Sequence, residues 1–444
     1  MTQYASKKSV TLVEWQEAVE DCWRQILVDH RHLDSALSSS PPALKSHLAA
    51  FLPVVLRRPH ALYRTMGLDL KKYINPWTLS LGEERAQWKS LRVLAHHYWK
   101  ICSLDGEFGS QPSASLSRQL AQSAKSVSVD DYPQWLFDEF QKDWGPKLGT
   151  RIAEILASDP PLSLRSAQKM GSERLLKALA DQVDLPEGAT VSSRIESGVL
   201  LPRYTSILNT SLYRDGLFEI QDEGSQVISM FTLWPELVKE AVAPHPGAAT
   251  DFVRVSVPAA KLPTQTVVDA CAGAGGKTLA IADYLRGSGR IFGYDVSPKK
   301  VQALRLRARR AGIRSAKAIA LQEGDELQTL MPFLGTADRV LVDAPCSGIG
   351  ILKRSPDIKW NQTAEGFLGL TEVQLRLLQL YSALVKPGGS LIYSTCTFRR
   401  SESVELVGRF QQCQPIFRKG AGGFFGPFLG GADGFFMQQF IREP

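Results

Sequence analysis

The stretch TVVDACAGAGGKTLAIADYL, residues 266–285, decides the fold. A short β-branched run ends in a glycine-rich turn, and an apolar helical pattern follows at once. Such a strand–turn–helix unit opens a doubly wound α/β sheet, with the ligand expected at the carboxyl ends of the strands. The same alternation continues downstream. RIFGYD (290–295), AKAIAL (316–321), DRVLVDA (338–344) and GGSLIYST (388–395) read as further buried strands. A long basic helix follows RIFGYD, and TEVQLRLLQLYSALV supplies the helix between the last two strands. Near-continuous apolar strands joined by helices predict a parallel sheet covered on both faces. The Gly- and Phe-rich tail from Gly422 suits a terminal hairpin packed on that sheet.

Working outward toward the N-terminus, Tyr132 begins a helical stretch that runs through RIAEILASD to Pro160-Pro161. PLSLRSA then reads as a strand and SERLLKALADQV as an amphipathic helix, with short strands within 191–201 and 217–221. This predicts a small α/β domain. Residues 11 to about 105 carry apolar residues at helical spacing, and 103–130, rich in Ser, Gln and Gly, reads as a linker. The expected division is 1–125 all-helical with linker, 126–215 small α/β, and 216–444 for the large sheet.

The chain has 444 residues, 44% of them hydrophobic, which is enough for ordinary packed cores and too much for a disordered protein. Its first residues, MTQYASKKSV, hold two lysines with no apolar segment behind them, and the longest apolar runs are short. No signal peptide and no membrane anchor are expected, and the expected compartment is the cytoplasm. The net charge of +7 favours a polyanionic partner weakly. Lys299, Lys300, Arg305, Arg307, Arg309, Arg310, Arg314 and Lys317 cluster on the basic helix and its exit, as a solvated face or as a phosphate-tracking one. Six cysteines form no CxxC pair, so no metal site is expected.

The turn Cys271-Ala272-Gly273-Ala274-Gly275-Gly276-Lys277 has the context of a nucleotide-binding turn but is not a P-loop, which would need glycine in place of Cys271. Asp295 closes the second strand about twenty residues on, where a carboxylate meets ribose hydroxyls; its bland use would be a helix cap beside Ser297 and Pro298. Asp325, after the third strand, is placed to accept from an adenine amino group. Three such groups at successive strand ends point to an adenosine cofactor, NAD or S-adenosylmethionine. The fourth and fifth strands end in Asp343-Ala344-Pro345-Cys346 and Ser394-Thr395-Cys396. Neighbouring strands would bring both thiols and Asp343 into the cofactor cleft. Two thiols without histidine or metal spacing suit a thiolate nucleophile with a second acid–base thiol. Cytosine carbon 5 needs such help. Thiolate attack at carbon 6 makes carbon 5 enamine-like, an acid at nitrogen 3 neutralises the developing charge, and a base then removes the carbon 5 proton. The base must be unstacked for this.

DACAGAGGKT, YDVSPKK, EGD, VLVDAPCSGIGILKRSPDIKW and LIYSTCT together resemble the successive motifs of the RsmB/Sun (Fmu) family of S-adenosylmethionine-dependent RNA 5-methylcytosine methyltransferases. QDEGSQ at 221–226 and DGFF at 433–436 resemble further family segments, and the resemblance runs from Tyr132 to the C-terminus. It implies a Rossmann-like methyltransferase sheet, a small RRM-like RNA-binding domain, and a helical N-terminal domain similar to NusB. It implies Cys396 as nucleophile, Cys346 as the group aiding release, and Asp343 contacting the cofactor and the cytosine edge. Lys277 would contact the base or the cofactor. Cys271 to Lys277, with Asp295, Asp325 and Asp343, would hold S-adenosylmethionine, and Arg354, Lys359 and Trp360 would meet RNA. The implied partner is RNA, ribosomal RNA ahead of transfer RNA, and a monomer is expected. Gly273-Ala274 replaces the family's usual Ala-Pro, and PLSLRSA lacks its usual asparagine. A DNA cytosine-5 methyltransferase, which uses the cysteine of Pro-Cys, and a non-catalytic RNA-binding assembly factor are the competing readings.

Overall fold

The computed structural model describes residues 11–58, 91–96, 98–99, 131–203, 205–246, 254–322, 326–426 and 432–444. The expected linker at 103–130 and the cofactor residue Asp325 lie outside the described residues. The chain divides into two compact units, one of 1–159 with 351–364 and one of 160–350 with 365–444.

The first unit is helical because its apolar residues recur at helical spacing. Helix Leu12–Leu27 opens with a capping box: the Glu14 N–H donates to Thr11 Oγ1 (3.2 Å) and the Thr11 N–H to Glu14 Oε2 (2.8 Å). Its buried stripe includes Trp15, Val19, Cys22 and Ile26. These residues pack with Leu48, Phe51, Leu52 and Val55 of helix Lys45–Arg57 and with Leu94 and Tyr98. Trp15 stacks on Tyr98 and donates its indole N–H to the Ala95 carbonyl at 3.0 Å. Helix Gln134–Leu156 belongs to this unit. It is bent at Gly145-Pro146, where Gly145 takes φ +78° and Pro146 removes a donor. The helical unit therefore extends past the boundary expected near 125.

The second unit holds two sheets. Strands β1 (Leu162–Ser166), β2 (Thr190–Val191), β3 (Gly198–Leu201) and β4 (Phe218–Ile220) form an antiparallel sheet in the order β2-β3-β1-β4. Helix Ser172–Ala180 follows β1 and the short helix Ser211–Arg214 follows β3. This β-α-β-β-α-β succession is the arrangement expected of an RRM-like module. It starts at Pro160 and needs β4, so it lies later in the chain than the expected 126–215.

The large sheet comprises β5 (Gln265–Asp269), β6 (Gly289–Asp295), β7 (Ala316–Ala320), β8 (Ala337–Asp343), β9 (Val385–Thr395), β10 (Phe417–Phe425) and β11 (Phe435–Arg442). Its order is β10-β11-β9-β8-β5-β6-β7. β5 to β9 pair in parallel, and the C-terminal hairpin adds two antiparallel strands beside β9. Strand order reverses at β5, so the loops after β5 and β8 diverge and leave the crevice in which ligands of such sheets bind. The core fills with Val267, Val268, Ile291, Val340, Leu341, Leu391 and Ile392, all fully buried. Each such side chain contributes about 1.5–3 kcal/mol on burial.

The basic helix Pro298–Arg310 covers this sheet, and its charges have two uses. Arg307 and Arg310 both pair with the buried Glu219 of β4, the first at 2.9 Å, and Arg310 lies 3.9 Å from the Tyr213 ring centroid. Lys299, Lys300 and Arg309 are exposed. Part of the cluster thus fastens the small sheet to the large one, and another part faces solvent.

Candidate active site

The turn after β5 is built by backbone geometry. Gly273 and Gly275 take φ +55° and +90°, and a Cβ at Gly275 would run into Leu304 of the basic helix. The Ala272 N–H donates to the Tyr294 carbonyl (2.8 Å), tying the turn to β6. Beneath it, Asp269 is buried and accepts from Thr278 Oγ1 at 2.6 Å, while its Oδ1 has no hydrogen-bond partner. Burial pushes the Asp269 carboxyl up to about 7. Burial also pushes the Cys271 thiol up, with the carboxylates of Asp269, Asp343 and Asp295 adding to it, which disfavours its thiolate.

Asp295 ends β6 with both oxygens on backbone donors: Oδ2 accepts from the Gly273 N–H (2.9 Å) and Oδ1 from the Ser297 N–H (2.8 Å). The cap of the following helix is Ser297, not Asp295. Each oxygen keeps a second lone pair for a hydroxyl. The space over the turn is open: a Cβ at Gly273 would meet nothing within 4 Å, and one at Gly276 only the Gln221 amide at 3.8 Å. Two glycine backbones facing open space, with a backbone-anchored carboxylate beside them, fit the adenosine and ribose of S-adenosylmethionine.

β8 and β9 are adjacent and in register, Asp343 opposite Ser394. Asp343 accepts from Ser394 Oγ through Oδ1 (2.8 Å) and from Lys277 Nζ through Oδ2 (2.7 Å). Burial works against the Lys277 charge, yet Asp343 overcomes it and holds the ammonium above its ordinary range. Lys277 also lies 5.7 Å from the centroid of the Phe435 ring. Beyond Asp343, the sulfurs of Cys346 and Cys396 approach to 3.1 Å. The hydrogen bond with Cys396, followed by burial, pushes the Cys346 thiol well up, so Cys346 keeps its proton. The structure brings Cys396, Cys346, Asp343 and Lys277 together beside the turn of Cys271 to Lys277 and Asp295.

The three residues expected to meet RNA are placed differently. Segment 351–364 belongs to the helical unit. Lys359 is 2% exposed, donates to the carbonyls of Arg57 (2.9 Å) and Asp131 (2.6 Å), and has the Tyr132 ring centroid 4.2 Å away. Burial pushes its amine down to about 7. Trp360 is half-buried and donates its indole N–H to the Leu56 carbonyl (2.9 Å). The Lys359 amine is thus bonded inside the unit, and the Trp360 indole packs there. Arg354 is half-buried.

Sequence reasoning missed Ser394, Thr278, Phe435 and Glu402. Ser394 had a signal, standing one residue before Thr395-Cys396. Glu402 had none, because it lies in the charged run RRSES, which reads as a solvated surface. The DGFF segment gains a packing reason: a Cβ at Gly434 would fall inside the Phe398 ring, and the Gly434 N–H donates to the Gly350 carbonyl at 2.9 Å. Among the described residues there is no cluster fit to hold a metal ion, and no helix is long and apolar enough to cross a membrane.

Residues 259–420 match the profile of a family described as 16S rRNA methyltransferase RsmB/F. A probable ribosomal RNA small subunit methyltransferase B of Bacillus subtilis is 31% identical over 290 residues, covering 64% of this chain and 57% of the relative. A protein of the same description from Synechocystis is 29% identical over 290 residues, 63% of this chain and 56% of the relative. The match thus spans little more than half the length of these relatives. In fold, the chain is similar to NSun6 from Pyrococcus horikoshii, determined with SFG (TM-score 0.57, 16% identity, 71% of this chain and 100% of that one). It is also similar to a methyltransferase homolog protein from Pyrococcus horikoshii (TM-score 0.53, 22% identity, 70% and 95%). The ordered motifs, the sheet order and the profile match agree in making residues 259–420 of this chain similar to the RsmB/F family of methyltransferases.

Proposed function

We propose that the protein methylates carbon 5 of a cytosine in RNA, with ribosomal RNA as the leading substrate, through a covalent bond between Cys396 and carbon 6. The observation that carries this reading is the 3.1 Å approach of the two thiols beside the Lys277–Asp343 pair. Gly273, Gly276 and Asp295 would hold S-adenosylmethionine, with Asp343 at its methionine end. When bound, that cofactor supplies an electrophilic sulfonium methyl group to the activated ring.

The residues of the chain do the rest. The hydrogen bond with Cys396, followed by burial, holds the Cys346 thiol protonated beside Cys396. The Cys396 thiolate forms a bond to carbon 6 and shifts electron density to carbon 5. Asp343 orients the cytosine edge, and the Lys277 ammonium offsets the charge developing on the ring. Once Cys396 is a thioether, the largest cause of the raised Cys346 thiol is gone. Cys346 then passes its proton to solvent and, as thiolate, takes the proton from carbon 5; the pair of that C–H bond re-forms the carbon 5–carbon 6 double bond, and the Cys396–carbon 6 bond breaks with Cys396 leaving as thiolate. The state of one sulfur sets the readiness of the other. Arg354 remains the proposed RNA contact of its segment.

The test uses single replacements assayed on small-subunit ribosomal RNA transcripts with labelled S-adenosylmethionine. Cys396→Ala should abolish transfer and leave no adduct. Cys346→Ala should accumulate a protein–RNA adduct that survives denaturing gels. The opposite pattern, an adduct with Cys396→Ala, would assign the nucleophile to Cys346, as in DNA enzymes. No adduct and no transfer by the wild type with any cellular RNA would leave a binding protein.

A further inference from the structure

Glu402 touches neither the turn nor the two thiols, yet it is fully buried. Its Oε2 accepts from the Ser347 N–H (2.9 Å) and from Gln374 Nε2 (2.9 Å), and its Oε1 faces Arg399 at 3.4 Å. Gln374 Nε2 also donates to the Pro345 carbonyl (2.9 Å), so the residues on both sides of Cys346 are held by one carboxylate and one amide. Gln374, through its side chain, and the Glu402 residue, through its backbone, also reach the end of β9. The Tyr393 hydroxyl lies 2.8 Å from the Glu402 carbonyl and 3.1 Å from Gln374 Oε1, and Tyr393 stands three residues before Cys396. A further tie runs from Ser347 Oγ to Thr397 Oγ1 (2.9 Å), directly beside both thiols.

We propose that Glu402 is a positioning residue: with Gln374 it clamps the Pro345–Ser347 loop to the end of β9 and so fixes the separation of the Cys346 and Cys396 sulfurs. A buried carboxylate is a costly way to fill space, since apolar packing serves as well or better. What it offers is geometry, because a buried network in which Glu402 Oε2 is held by two donors favours one arrangement. The proposed chemistry needs that. Attack at carbon 6 and proton removal at carbon 5 occur on adjacent ring atoms, and a misplacement of about 1 Å costs on the order of a hundredfold in rate. The catalytic consequence rests on the proposed roles of the thiols; the spacing itself does not.

The experiment therefore has two independent readouts on the full-length protein. Phenylarsine oxide closes a ring only on two thiols held close together, and closure, followed by mass spectrometry with Cys396→Ser as the control, reports the spacing without any RNA. Single-turnover transfer to a small-subunit ribosomal RNA transcript reports the chemistry, and calorimetry reports cofactor affinity. Glu402→Ala should slow ring closure and transfer about a hundredfold while cofactor affinity stays within about twofold. Glu402→Gln keeps an acceptor for Ser347 and Gln374 and should recover most of both rates. Should Glu402→Ala not fold, Gln374→Leu removes the ties to Pro345 and Glu402 and should slow both by roughly tenfold. Wild-type ring closure in a folded Glu402→Ala or Gln374→Leu protein overturns the proposal, as does equal loss of closure, transfer and cofactor binding in the Ala and Gln variants. Slowed closure in a protein whose wild type methylates no RNA upholds the clamp and refutes the functional reading instead.

Discussion

Asp269 and Asp295 stand at the ends of neighbouring strands and show how differently two carboxylates can be used. Asp295 is anchored by two backbone donors and keeps lone pairs for a ligand. Asp295→Ala should weaken S-adenosylmethionine binding by about ten- to a hundredfold, the worth of a hydrogen bond to a charged group, and leave RNA affinity nearly unchanged. Calorimetric titration with each ligand checks this, and parallel losses would remove Asp295 from the cofactor site. Asp269 faces inward instead. Folding raises its carboxyl from 3.8 to about 7, so the folded state binds the proton more tightly than the unfolded chain. The stability that proton brings is fully present below 3.8 and is lost as pH rises through about 7. Asp269→Asn can still accept from Thr278 and carries no charge. Its thermal stability relative to wild type should rise across that window and level off above it. A constant difference across the window would place the carboxyl in its ordinary range.

At the scale of elements, the basic helix Pro298–Arg310 was ambiguous in sequence because spacing alone does not say which charges find partners. Glu219 decides the matter for Arg307 and Arg310. Replacing Glu219 by Ala leaves two guanidinium groups partly buried without their carboxylate, and it should destabilise the unit by about 3–5 kcal/mol in denaturant unfolding. A change under about 0.5 kcal/mol, the level of an ordinary surface substitution, would show that the pair is incidental. Lys299, Lys300 and Arg309 have the opposite expectation. Neutralising each should leave stability unchanged and lower the slope of RNA affinity against salt, in logarithms, by about 0.7–0.9 for every phosphate that it neutralises. An unaltered slope returns them to a solvated face. The parallel strands, by contrast, were legible in full. Runs such as VVDA and VLVDA are apolar on both faces and are closed by turn residues, which only a sheet covered on both sides accepts.

At the scale of the molecule, the chain leaves its large sheet after Gly350, contributes 351–364 to the helical unit, and returns at 365. Lys359 and Trp360 fasten that excursion. Lys359→Ala removes the donor from two buried carbonyls and should cost the helical unit about 1–3 kcal/mol for each left unsatisfied, measured by denaturant unfolding. Retained stability would mean that water replaces the amine. The boundary was expected near 125, and the compact helical unit runs on to 159. Helix Gln134–Leu156 carries a mild amphipathic pattern that suits either neighbour, and only its buried partners assign it to the helical unit.

The sequence by itself determined the strand–turn–helix order, the glycines that let a ligand approach, and the strand ends where Asp343, Cys346 and Cys396 would stand, because apolar periodicity and turn chemistry are local properties of the chain. Tertiary structure decided which basic residues are spent on Glu219, that Lys359 points inward, and that Glu402 braces the loops carrying both thiols. Those outcomes depend on residues far apart in the chain meeting one another, and a charged side chain looks alike in sequence whether its partner is water or a buried carboxylate.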